Sequence, residues 1–224
     1  MEKLFHMMDL YLSMVKDIDN TRFLLSLDID DEKLDQNELN KVIEFWTNYY
    51  SISITTTIDS SKNKIHAVNR DIDIYTPKYP WDILVLASDD MLPVKDCYDE
   101  VIREDMTKFA PDLDGVLYYP DGYTPLNTLP IIGKKYYDRF NYIYNPAYKS
   151  FFCDNEFHEV AEKLGKHFKC KTTLFKHEHP ANISIPMDEL YIRNNAPWEE
   201  DKKLYFERKL NNFGLGEDNE GKES

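Results

Sequence analysis

Apolar residues at Leu4, Met7, Met8, Tyr11, Leu12 and Val15 recur at the spacing of one helical face, so the chain is predicted to start in a helix. The run Phe23 to Leu27 reads as a buried strand ending in Asp28, Asp30 and Asp31. A second helix carries Leu39, Val42, Ile43 and Trp46 at i, i+3, i+4 and i+7, and the β-branched stretch Ser51 to Ile58 reads as the next strand. After a shorter helical pattern over Lys64 to Arg70 comes Trp81 to Ala87, the most continuous apolar run and the best candidate for a central strand. It leads straight into Ser88-Asp89-Asp90.

Beyond Pro93 the positions Tyr98, Val101, Ile102, Met106 and Phe109 predict another helix, followed by a short strand over Gly115 to Tyr119. Residues 121–150 are irregular and partly antiparallel in expectation. Phe157, Val160, Ala161 and Leu164 then mark one helical face, Lys171 to Phe175 a late strand, and Trp198 to Phe213 a charged C-terminal helix. Repeated βα alternation predicts an α/β fold, with a mostly parallel central sheet flanked by helices on both faces and ligands at the carboxyl ends of the strands. The expected organisation is one domain over residues 1–213 and a frayed acidic tail over 214–224.

Composition sharpens this picture. The 224 residues include 16 Tyr and 12 Phe, enough aromatic mass for a core, and 27 basic against 41 acidic side chains give a net charge of −14. Such a surplus repels a phosphate backbone and no basic stripe offsets it, so nucleic acid is excluded as the expected partner. No apolar run approaches the roughly 20 residues that span a bilayer, and no signal-peptide pattern opens the chain. With Cys97, Cys153 and Cys170 odd in number and far apart, the expectation is a soluble protein of a reducing cytoplasm, bacterial or that of a virus-infected cell.

Adjacent carboxylates at a buried strand end repel each other and lose hydration, so Asp89 and Asp90 call for a cation or for hydrogen-bond donors. Mg²⁺ or Mn²⁺ would answer with oxygen ligands and would bridge two phosphates; capping of the helix near Pro93 is the plainer alternative. His177 and His179, two apart at the end of a predicted strand, can face the same side. Tyr119, Asp121 and Tyr123 lie in a Tyr-rich segment that includes Tyr136, Tyr137, Tyr142 and Tyr144, suited to stacking on a sugar, although most of these rings are expected to pack. The isolated His6, His66, His158 and His167 read as structural or exposed.

Four of these features in order give the chain a likeness to a known family. Ser26-Leu27-Asp28-Ile29-Asp30-Asp31, then Lys64-Ile65-His66-Ala67-Val68-Asn69-Arg70, then Ser88-Asp89-Asp90, then Cys153-Asp154-Asn155-Glu156-Phe157 resemble the motifs of family 2 glycosyltransferases of the GT-A type, over about residues 1–180. The resemblance implies a single GT-A-like (Rossmann-like) domain that moves a sugar, with inversion, from a nucleotide diphosphate sugar such as a UDP-sugar to a glycan or other hydroxyl acceptor. By the same likeness Asp28, Asp30 or Asp31 contacts the donor nucleoside and Asp89 its ribose or sugar; Lys64, Asn69 and Arg70 are candidate donor contacts, with a solvated helix face as the plainer reading. Asp90 ligates Mn²⁺ or Mg²⁺, with His177 or His179 as a late ligand. Asp154 matches the family's general base; at a helix start its pKa is expected to stay low.

Met1 falls at the helix that follows the family's usual first strand, so one wall of the nucleotide pocket is expected to be missing. Two alternatives accompany this reading: a noncatalytic carbohydrate-binding or scaffold protein on a degenerate GT-A fold, and a nucleotidyltransferase. Against the latter, there is no Gly-rich phosphate loop and there are only 7 Gly.

Overall fold

A computed structural model of the chain describes residues 1–32, 34–123, 125–178 and 197–216, and these described residues form a mixed α/β architecture of seven helices and small sheets. The amphipathic segments fold as read, with one short helix, Lys134–Asp138, added inside the segment 121–150 expected to be irregular. They form α1 (Glu2–Met14), α2 (Gln36–Tyr50), α3 (Lys64–Tyr75), α4 (Tyr98–Phe109), a short α5 (Lys134–Asp138), α6 (Cys153–Lys163) and α7 (Trp198–Leu210), the last followed by a 3₁₀ turn at Asn212–Gly214. Local chemistry sets two of the starts: Asp35 accepts the N–H groups of Asn37 and Glu38 ahead of α2, and Asn63 accepts that of His66 ahead of α3.

The strands are β1 (Arg22–Asp28), β2 (Ser53–Asp59), β3 (Ile83–Val85), β4 (Met91–Pro93), β5 (Val116–Tyr118), β6 (Ile131–Gly133), β7 (His167–Lys169) and β8 (Phe175–His177). The expectation of one mostly parallel sheet is corrected. β1 and β2 pair in parallel as a two-stranded sheet; β3-β6-β5-β7 form a four-stranded one; β4 and β8 pair antiparallel. Within the four strands only β5 and β7 run parallel, because β6 enters between β3 and β5 from the irregular segment and runs antiparallel to both. The apolar run 81–87 therefore supplies three paired residues at one end of a mixed sheet and not its centre.

Cover on both faces is as expected. Successive side chains of a strand point to opposite sides, and the two apolar clusters divide along that alternation. Leu117 and Ile131 join α1, α4 and Trp46 on one side, while Val116 and Ile132 join α3, α6 and Tyr205 of α7 on the other.

Close approach fixes one residue type in this sheet. A Cβ at Gly133 would lie 2.2 Å from the backbone oxygen of Leu113. Gly133→Ala is thus expected to cost about 1–3 kcal/mol, because the obstacle is backbone that cannot rotate away; a chemical denaturation midpoint unchanged from the wild type would contradict this contact.

Among the described residues, no helix is long and apolar enough to cross a membrane. Cys97, Cys153 and Cys170 are free thiols. The segment 217–224, most of the expected tail, lies outside the described residues.

Candidate active site

The chain turns sharply after β3, where the Met91 N–H donates to the Ser88 carbonyl at 3.1 Å, and this turn directs two neighbouring carboxylates to different places. Asp89 is exposed and pairs with Lys3 across 3.4 Å. Asp90 is buried, accepts the Ser88 hydroxyl, and meets His177 Nε2 at 3.5 Å. The β4–β8 pairing makes that meeting possible, since it places Met91 opposite His177 and lets the Glu178 N–H donate to the Asp90 carbonyl at 2.7 Å. Burial raises the Asp90 pKa, but His177 and the Ser88 hydroxyl outweigh it and hold the carboxyl well below its usual range.

The other ring nitrogen of His177, Nδ1, lies 3.7 Å from Asp121 Oδ2, so one imidazole stands between two carboxylates 31 residues apart in sequence. Asp121 also accepts the Tyr123 N–H at 2.9 Å, the Asx turn that shapes its loop. Met91, Tyr119, Asp121, Leu129, Phe175 and His177 line a cavity of about 10 Å³ here, room for one water and for no sugar ring.

A third carboxylate joins from α6. Asp154 stands in the first turn of that helix and is partly buried. Loss of hydration raises its pKa, and this outweighs Lys64 of α3, the N–H of Asn155 and the more distant His177, all of which favour the anion. The expected low pKa is thereby corrected: the helix N-terminus is present, but desolvation exceeds it.

Two buried acids fix the approach to α6; from the sequence Asp201 has no assigned role, and Glu156 has at most that of an acid near the helix N-terminus. Asp201 of α7 accepts the N–H groups of Lys149, Ser150 and Phe151 at 3.0, 2.8 and 2.8 Å. Glu156 accepts from Asn145 Nδ2 (3.0 Å), the Tyr148 hydroxyl (2.7 Å) and Arg208 Nε and Nη2 (2.6 and 2.8 Å). Between them Phe152 adopts a left-handed φ of 60°, the bend that starts the helix one residue before Cys153. No local pattern announces either clamp, because the Asp201 partners and Arg208 of the Glu156 clamp lie about 50 residues away.

A separate acidic group stands at the carboxyl ends of β1 and β2. Parallel register puts Asp28 beside Asp59, and Asp28 accepts the Ser61 hydroxyl. Asp30 and Asp31 are exposed in the turn that follows.

Arg70 does not lie on a solvated helix face. Its guanidinium bonds Asp71 at 2.6 Å and the Ser60 carbonyl at 2.8 Å, and reaches Asp59 at 3.7 Å, so its charge is met by the chain's own acids. Asn69 is corrected as a substrate contact: it is buried, its Nδ2 donates to the Tyr144 carbonyl at 2.7 Å, and its Oδ1 accepts the Ile143 N–H at 2.9 Å. The hydroxyl of Tyr119 is likewise committed, donating to Asp105 at 2.8 Å while the ring lines the cavity.

Tyr123 is exposed, whereas Tyr118, Tyr136, Tyr137 and Tyr144 are buried and are not acceptor platforms. His179 lies outside the described residues.

The sequence-derived set thus converges in part. Asp90, Asp121 and His177 meet directly and Asp154 is close enough for His177 to act on its charge. Asn69 and Arg70 are used internally. The acidic turn after β1 is a second locus, built by Asp28 and Asp59. Comparison with known proteins adds no assignment: no family model matches the chain, and a search of curated proteins returns no significant match.

Proposed function

We propose that the chain is a metal-dependent, inverting glycosyltransferase acting on a nucleotide diphosphate sugar and an acceptor hydroxyl. The observation that carries this reading is the meeting of Asp90, His177 and Asp121, with Asp154 at the start of α6 within electrostatic reach of His177. Two carboxylates and an imidazole suit Mn²⁺ or Mg²⁺, and a carboxylate buried against an imidazole is the kind of donor such an ion takes. Asp90 and His177 would hold the ion, with Asp121 behind His177. When bound, the ion neutralises the diphosphate, which an acidic site would otherwise repel.

The remaining chemistry belongs to the chain. Ser88 fixes the Asp90 carboxylate through its hydroxyl. Asp154 takes the proton of the acceptor hydroxyl as that oxygen bonds the anomeric carbon. The bond from carbon to the diphosphate oxygen breaks, and its electron pair leaves with the nucleotide. One displacement inverts the carbon. Poor hydration makes Asp154 a stronger base than a solvated aspartate, and Lys64 near it keeps the anion available.

Calorimetry with a panel of nucleotide sugars tests the reading. Binding should require Mn²⁺ or Mg²⁺ and should weaken at least tenfold in Asp90→Asn. A folded protein that binds no nucleotide sugar with either metal would refute it.

A further inference from the structure

We propose that His158, Glu162 and His167 form a second divalent-cation site, of the zinc type, separate from Asp90 and His177. His158 and Glu162 stand one turn apart on α6, and His167 opens β7. His158 Nε2 lies 3.3 Å and His167 Nδ1 3.8 Å from Glu162 Oε1, and one ligand atom from each of the three residues falls within 4.8 Å of the others.

His167 is the group that points to a ligand. Its side chain is 2% exposed, yet neither ring nitrogen has a hydrogen-bond partner. A buried imidazole left so is costly, and a cation on its lone pair removes that cost. The ring is already held in place, stacked on Tyr118 with centroids 5.6 Å apart and set against His158 at 4.4 Å. Two imidazoles and a carboxylate match the borderline donor set of zinc and leave a fourth position for water. The cluster borders an open cleft of about 440 Å³ beside Phe109 and Phe168, which gives an ion its way in.

Two features set the strength of binding. The Asn127 N–H donates to His158 Nδ1 at 3.1 Å, which puts the ring proton of neutral His158 on Nε2; for a metal to bind Nε2 that proton must move to Nδ1, which gives up the Asn127 bond. The ammonium of Lys169 also sits 3.2 Å from Glu162 Oε1 and is mostly exposed, so it competes for the carboxylate and departs readily. The site is therefore weaker than a dedicated structural zinc site, and removing Lys169 should strengthen it.

Titration of the full chain with Zn²⁺ by calorimetry tests this, carried out in an Asp90→Asn/His177→Asn background so that no zinc is counted at the other cluster. The expected result is one Zn²⁺ per chain, with affinity reduced at least tenfold by His167→Ala or Glu162→Gln and raised several-fold by Lys169→Ala. Co²⁺ should give visible absorption of a four-coordinate nitrogen and oxygen site that His167→Ala abolishes. Lys169 is exposed, so its variant reads the site even if a His167 variant fails to fold. Zinc affinity unchanged by Lys169→Ala, or retained in folded His167→Ala, would overturn the proposal.

Discussion

Asp154→Asn should lose turnover and gain stability. As general base, Asp154 is worth about 10²–10⁴-fold in turnover, and Asn, which cannot take a proton, should forfeit that while donor affinity stays within a few-fold. The stability side follows from the raised pKa. The folded state holds the Asp154 proton more tightly than the unfolded chain does, so the carboxyl favours folding below its unfolded value near 4 and that advantage is lost as pH rises through the folded value. At neutral pH the folded protein carries a poorly hydrated anion.

Asn removes that cost and should raise stability at pH 7 by on the order of 1 kcal/mol, about 2–4 °C in melting temperature at this chain length. The gain over wild type should fade below about pH 4, where the wild-type carboxyl is neutral in both states. Paired denaturation curves at pH 7 and at acid pH, with turnover at saturating donor, decide the matter. Stabilisation without loss of turnover would leave Asp154 a strained but idle acid; loss of both would make it a structural cap.

Opposite outcomes for stability and rate are what distinguish a functional acid from the several structural ones in this chain, and the sequence does not separate them. Asp90, Asp99, Asp114, Glu156 and Asp201 are all buried. Three of them carry no local mark, because decisive partners come from distant segments: the backbone of residues 16 and 17 for Asp99, beside its helix neighbour Arg103, Arg139 and Lys166 for Asp114, and the backbone of residues 149–151 for Asp201.

What was legible is local. The helical spacing of Leu39, Val42, Ile43 and Trp46 survives in α2, where Leu39 and Trp46 are buried. The Phe23 to Leu27 run survives as β1. Strand direction was not legible, because β6 is three residues inside a segment rich in Pro, Gly and Asn, and its pairing with β3 and β5 is decided 14 to 50 residues away. β4 was hidden for a related reason: Met91–Pro93 is too short for a pattern, and Pro93 fits only where the ladder ends. Yet that short strand carries Asp90 to His177. The cluster of His158, Glu162 and His167 did leave a signal, a His and a Glu four apart on a predicted helix with a His five residues on, but residues read one at a time give only isolated histidines.

The second large effect is on folding. Glu156 is 4% exposed and accepts four hydrogen bonds, two from the guanidinium of Arg208. Removing Glu156 leaves Asn145, the Tyr148 hydroxyl and the Arg208 guanidinium without their acceptor, the last keeping only the Phe213 carbonyl, at a cost of about 3–5 kcal/mol. Glu156→Ala should therefore lower the melting temperature by about 6–20 °C at this chain length. Arg208→Ala should cost less, because Asn145 and Tyr148 continue to satisfy Glu156, and a double-mutant cycle should show coupling of about 1–3 kcal/mol. Since α6 begins three residues before Glu156, the helix start that carries Asp154 is released with it. Glu156→Ala should then reduce turnover at temperatures where the variant is still folded, although Glu156 lies on the buried side of α6 and bonds only to the chain itself. A cost under about 1 kcal/mol would mean that α7 does not hold α6 in place, and the clamp would have to be sought in Asp201 alone.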